Sequence, residues 1–184
     1  MKPFLFLSVL LLSIGLACSL PIRATQPSSN TIIASGEAAA ELESNVATAV
    51  AQLEQTGSAS LTITENQLTS YLAEKLASQP DSPIQNAQIR LENGSIQLTG
   101  QMSVSSLSAD LSLTMQPYVD QGNLQVIIQE GQIGSIPLPD ATLKTLTQTI
   151  NQEMVGLVTF HGQQFKLESV SMDNGSMTLK GVLP

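Results

Sequence analysis

The chain contains one short phrase twice, and each copy has the signature of a tight β-hairpin. The copies read ENGSIQLTG at Glu92–Gly100 and DNGSMTLKG at Asp173–Gly181, and five of nine positions are identical. Asn-Gly between alternating segments is the strongest short-range hairpin signal, because both central residues of the favoured turn take a positive φ. The sequence therefore predicts turns at Asn93-Gly94 and Asn174-Gly175, and it leaves open whether the copies share more than their turn chemistry.

The first turn sets a register that extends into a four-stranded antiparallel meander. It places Leu91 opposite Ile96 and Ala87 opposite Gly100. The other predicted pairs, which include those of the second hairpin, are Ile89–Leu98, Val104–Leu107, Met102–Ala109, Leu98–Leu113, Ile96–Met115, Val119–Leu124, Met115–Ile128, Met172–Met177 and Val170–Leu179. In this register the apolar residues of all these strands fall on one face of the sheet. A shift of one residue in the pairing of a strand would turn its apolar residues to the opposite face. Gly100 and Gly181 fall at the same step after each turn, where a glycine within a strand indicates a bend or a bulge.

Three other segments carry apolar residues at helical spacing. The first begins near Glu37 and ends at Gly57. The second follows a short strand and opens with Thr64 and Gln67, the two residues of a capping box. The third follows two prolines, with Asp140 as its N-cap. These features predict an α+β fold, in which a curved antiparallel meander (a half-barrel) and a C-terminal hairpin wrap around amphipathic helices.

The N-terminus predicts export from the cytoplasm. A lysine at position 2 precedes the apolar run Phe4–Leu12, and the chain's one cysteine, Cys18, follows shortly after. This order is typical of a secretory signal peptide, and the place of Cys18 is similar to that of the lipidated cysteine of bacterial lipoproteins. We expect a signal peptide at 1–17, a tether at 18–35 and a single domain at 36–184. Plain cleavage after residue 17, which yields a secreted protein, and an uncleaved N-terminal anchor are the alternatives.

Composition and charge exclude several classes of function. The chain has 7 basic and 15 acidic residues, which argues against nucleic acid because phosphate binding requires clustered Lys and Arg. His161 is the only histidine and lies in a predicted turn, and the chain has no second cysteine or histidine with which to build a metal cluster. We therefore expect no enzyme activity, no metal and no cofactor.

Three stretches resemble a known family. LTITENQLTSYL, IRLENGSIQLTG and IGSIPLP, within Ser60–Met154, resemble the YpmS-like family of extracytoplasmic, membrane-anchored bacterial proteins, and the layout is similar to the LmeA-like phospholipid-binding family. The resemblance implies a curved sheet wrapped on helices and, by analogy of fold, an apolar groove for lipid. It carries no catalytic residue.

The functional expectation is a membrane-tethered lipoprotein of the cell envelope that binds a phospholipid or another apolar ligand between sheet and helices. Flexible methionines suit such a surface. The expected ligand contacts are inward residues of the meander and helices: Leu72, Leu76, Leu98, Met102, Leu111, Leu113, Met115, Val126, Ile128, Leu146, Ile150 and Met154. The alternative is a structural or assembly factor of the envelope, with a filled core and an unidentified protein partner.

Overall fold

The computed structural model describes residues 31–79, 82–104, 107–157, 159–160, 163–164 and 166–183. The helices in these ranges are α1 (Gly36–Thr56), α2 (Glu65–Ala77) and α3 (Asp140–Leu157). The strands are β1 (Ser58–Thr64), β2 (Ile84–Glu92), β3 (Ser95–Val104), β4 (Leu107–Asp120), β5 (Asn123–Ile133), β6 (Ile136–Pro137), β7 (Thr159–Phe160), β8 (Gln163–Gln164), β9 (Lys166–Asp173) and β10 (Ser176–Val182).

The strands form two main antiparallel sheets. One has three strands in the order β1-β10-β9, and the other has five in the order β2-β3-β4-β5-β6, while β7 and β8 pair with each other. The larger sheet is curved and does not close into a barrel, so the predicted α+β class is confirmed. The C-terminal hairpin joins β1 in the smaller sheet, while the meander builds the larger one.

Local hydrogen bonds explain where the helices begin and end. The Thr64 amide donates to Gln67 Oε1 at 3.0 Å, and the Gln67 amide donates to Thr64 Oγ1 at 3.3 Å, so the predicted capping box is confirmed. Gly57 ends α1 with φ 75°. The prediction of Asp140 as an N-cap is wrong by one residue, because the carbonyl of Pro139 already accepts the helical bond from Leu143 at 3.0 Å. Asp140 is the first helical residue instead.

The predicted register of the meander is confirmed except at one pair. Gln85 pairs with Gln101 and Gln88 with Thr99, so Asn86 and Ala87 together oppose a single residue of β3. This β-bulge overturns the simple pairing of Ala87 with Gly100. Asn86 absorbs the bulge with φ 52°, since asparagine tolerates the left-handed region better than most residues.

Bulges accompany both of the glycines that follow the repeated turns. Gly100 lies opposite the bulge in β2, and in the second hairpin the register shifts between Lys180 and Gly181. The prediction that these glycines mark bends is therefore confirmed. An extra residue increases the local twist of a strand, which curves each hairpin at the same step.

The two repeated turns differ in their backbone conformation. Asn93 and Gly94 have φ of 53° and 77°, as expected, whereas in the second turn only Gly175, at 85°, is positive. The prediction of two positive φ values was thus wrong for Asn174. Tertiary contact explains the difference, because the Gly175 amide donates to the carbonyl of Leu91 at 2.9 Å and its carbonyl accepts from Glu65 N at 3.1 Å.

Two apolar clusters form the core. The first lies on the inner face of the larger sheet, under α3, and its buried residues are Leu111, Leu113, Met115, Val126 and Ile128. The second joins α1, β1, β2 and β10 through Leu42, Ile63, Leu91 and Met177. Ile96 packs against both clusters, so the two clusters meet at β3. Within the described residues, no helix is long and apolar enough to cross a membrane.

Candidate ligand-binding site

The residues predicted to contact a ligand divide into a closed group and a half-open group. The closed group consists of the five residues of the first cluster, whose exposed fractions are 2–7%. The half-open group consists of side chains that are half-buried, and these are Leu72, Leu76, Leu98, Met102, Leu146 and Ile150. The structure therefore brings most of the predicted residues to one face, with its interior filled under α3 and its margin partly open. Met154 belongs to α3, but its side chain lies outside the described residues.

Helix α2 is fixed along the edge of the sheet by side chains that replace a neighbouring strand. Thr69, which is fully buried, accepts from the Ile89 amide at 2.9 Å and donates to the Ile89 carbonyl at 3.4 Å. One turn earlier, Glu65 Oε1 accepts from the Leu91 amide at 2.6 Å, and Glu65 Oε2 lies 3.2 Å from Arg90 Nη1. These bonds satisfy the edge of β2 near its end and block its extension there.

A cavity of about 520 Å³ opens farther along the same edge, between the C-terminal half of α2 and the bulge in β2. It is lined by Ala34, Ala73, Leu76, Ala77, Gln79, Ser82, Ile84, Gln85, Asn86, Ala87 and Gln88. Leu76 is the member of the predicted ligand set that lines it. Ile84 pairs with Met102 and packs against the first cluster, so the cavity adjoins the half-open part of the inner sheet face.

A second cavity of about 370 Å³ lies beside the first, where α1 begins. It is lined by Ala34, Ser35, Gly36, Ala40, Glu43, Ser70, Ala73 and Glu74. Ala34 and Ala73 line both cavities, which makes the two spaces neighbours along the outer side of α2. We call them the large cavity (about 520 Å³) and the small cavity (about 370 Å³), and together they form the cleft.

The cleft is lined by a mixture of aliphatic and polar side chains. Leu76, Ile84 and four alanines supply aliphatic groups to the large cavity, and Gln79, Ser82, Gln85, Asn86 and Gln88 supply neutral polar groups. The volume of this cavity lies in the range of small-molecule sites, which span roughly 300–1,000 Å³. Among the described residues, no group of three His, Cys, Asp or Glu side chains is placed to hold a metal ion.

Sequence reasoning missed most of the residues that line the cleft. Two features of the sequence could have indicated it. Ala73 and Ala77 are spaced i and i+4 on α2, where small side chains leave room, and Asn86 interrupts the alternation of apolar and polar residues in β2. The tertiary position of residues 31–35 had no signal in the sequence. His161, the other side chain weighed for chemistry, lies outside the described residues.

The fold and cleft together define an α+β protein with an open curved sheet and a site at the sheet edge. Comparisons with family models, with curated proteins and with solved structures find no match to this chain.

Proposed function

We propose that this protein binds a lipid or another apolar ligand, without catalysis, in the cleft between α2 and β2. The observation that carries the proposal is the large cavity of about 520 Å³, which reaches Leu76 and Ile84. Its volume falls in the range of small-molecule sites, and none of the residues that line it is charged, which favours a neutral group such as an acyl chain over a charged metabolite.

The margin of the inner sheet face supports the same proposal. Ile84 lies at the junction of the cavity and the first cluster, and its neighbours Met102 and Leu98 are half-buried. A chain that entered at Leu76 would meet aliphatic side chains and a thioether rather than buried charge. Methionine adapts its shape at low cost, which suits a ligand of variable length.

The proposal includes a membrane tether at the N-terminus, which is inferred from the sequence alone. Residues 1–30 lie outside the described part of the chain, and they contain the apolar run and Cys18. A lipidated cysteine would hold the domain at the outer face of the membrane, where acyl chains are abundant. Stable anchoring takes two membrane-binding signals, so lipidation at Cys18 implies a second acyl chain or another membrane contact.

The direct test fills the cleft with a bulky side chain. Ala73 lines both cavities, so Ala73→Trp should remove most of the bound ligand. The matched control is Ala47→Trp, because Ala47 is exposed on α1 and lines neither cavity. Lipid that copurifies with each protein, and lipid taken up from phosphatidylcholine vesicles, would be quantified by mass spectrometry. Equal binding by both variants would refute the cleft as the site, and wild-type protein that binds nothing would refute the function.

One observation favours the alternative of an assembly factor. Tyr118 and Ile127 are 36% and 49% exposed, and they lie on adjacent strands of the outer sheet face, where Tyr118 pairs with Gln125 and Ile127 with Gln116. Two neighbouring apolar side chains on a polar face suit a protein contact. Cross-linking from position 127 in the native envelope, in a protein that carries no lipid, would support this second function.

A further inference from the structure

Residues 31–35, which we call the strap, lead into α1 beside the cleft, and Ala34 lies where the two cavities meet. Ala34 lines both spaces, and Ser35 is the N-cap of α1. The strap precedes α1, so its C-terminal end is anchored by the helix while its other end continues into the region that the structure does not describe.

A single side chain holds the strap at its centre. Gln88 Oε1 accepts from the Ile32 amide at 2.7 Å, and Gln88 Nε2 donates to the Ile32 carbonyl at 3.0 Å. The amide of a glutamine thus pairs with the backbone as a neighbouring strand would. Near the other end, the Ser35 amide donates to Ser70 Oγ at 3.1 Å.

The rest of the strap adds little packing. Ile33 is 84% exposed, Thr31 and Ala34 are also exposed, and Ile32 is half-buried. A hydrogen bond of this kind contributes a net ~0.5–1.5 kcal/mol, so a segment held by so few contacts belongs to the part of a protein that opens most readily. Gln88 also lines the large cavity, which places these two hydrogen bonds at the edge of the site.

We propose that residues 31–35 are a gate over the ligand site and that Gln88 is its latch. The proposal rests on the function proposed above, because a gate requires a ligand. When the latch opens, ligand enters and leaves through the joined cavities, and when it closes, Ala34 separates them. The latch therefore controls the rates of exchange more than the final affinity.

The test compares the glutamine of the latch with a glutamine remote from the cleft. Gln88→Leu removes the latch, and Gln132→Leu is the control, because Gln132 is exposed on β5 and lines neither cavity. Hydrogen exchange at the Ile32 amide reports the strap itself. Stopped-flow uptake of a fluorescent fatty acid from phosphatidylcholine vesicles reports the gate, and thermal melts confirm that each variant is folded.

We expect Gln88→Leu to expose the Ile32 amide and to speed uptake and release by roughly tenfold, which corresponds to the loss of about two net hydrogen bonds. Gln132→Leu should match the wild type in both measurements. An exposed Ile32 amide with unchanged uptake would overturn the gate while the proposed function stands. An amide that stays protected in Gln88→Leu would overturn the latch. Absence of uptake by every protein, including the wild type, would overturn the proposed function and the gate with it.

Discussion

The amide of Gly175 donates a hydrogen bond of 2.9 Å to the carbonyl oxygen of Leu91. This bond joins the two hairpins that carry the repeated phrase, because Gly175 forms the turn of the second and Leu91 lies beside the turn of the first. The carbonyl of Gly175 also accepts from Glu65 at the start of α2. One turn therefore ties the smaller sheet to the larger sheet and to the helix that walls the cleft.

The two repeated asparagines should respond differently to alanine. Asn93 has φ 53°, and a residue with an ordinary Cβ in the left-handed region costs roughly 1–2 kcal/mol. Asn174 lies outside that region, so Asn174→Ala should change the free energy of unfolding by less than about 0.5 kcal/mol. Denaturant melts of Asn93→Ala and Asn174→Ala measure the difference. Equal losses would contradict the two turn conformations described above.

The buried hydroxyl of Thr69 should be needed to hold α2 on β2. Thr69→Val keeps the shape of the side chain but leaves the amide and carbonyl of Ile89 without their partner. An unsatisfied buried backbone group costs about 1–3 kcal/mol, so the denaturant midpoint should fall accordingly.

The control for this change is Thr62→Val. The Thr62 hydroxyl lies 3.0 Å from that of Thr178 on an exposed surface, and valine is well suited to a strand. Loss of the Thr62 hydroxyl should therefore leave the free energy of unfolding within about 0.5 kcal/mol of the wild-type value. Equal denaturant midpoints for Thr69→Val and Thr62→Val would contradict the role of Thr69 as the hydrogen-bonding partner of the edge of β2.

Lipidation of Cys18 should hold the protein at the membrane. If it is lipidated, the mature protein partitions with membranes, and Cys18→Ala releases it or leaves it unprocessed. Intact-mass measurement on protein from its native envelope checks this, with the expected added mass of acyl groups at Cys18. An unmodified N-terminus at position 18 or 19 would reject lipidation, and a retained Met1 would support an uncleaved anchor.

Much of the fold was accessible from the sequence because short-range chemistry determines it. Asn93-Gly94 and the alternation around it predicted the pairs Leu91–Ile96 and Met115–Ile128, which the structure confirms. Thr64 and Gln67 likewise act through neighbours three residues away. Each of these signals is determined by residues that lie within one helical turn or one hairpin of each other in the sequence.

The bulges and the cleft were not accessible because they depend on long-range contacts. The extra residue at Asn86 becomes visible only when β2 is laid against β3, and the conformation at Asn174 is set by Gly175 docking on Leu91. The apolar pattern predicted the inward face of the meander, but it could not separate Met115, which is 7% exposed, from half-buried Met102. That difference in burial depends on tertiary packing, about which periodicity alone contains no information.

Photolabelling tests the central claim most directly. An alkyl-diazirine fatty acid would be incubated with the wild-type protein, irradiated, and mapped by peptide mass spectrometry. We expect the label on α2 and β2 around Ala73, Leu76 and Ile84, and we expect unlabelled phospholipid to compete it away. Absence of label, label that is not competed, or label confined to the outer sheet face at Tyr118 and Ile127 would contradict an apolar ligand site in the cleft.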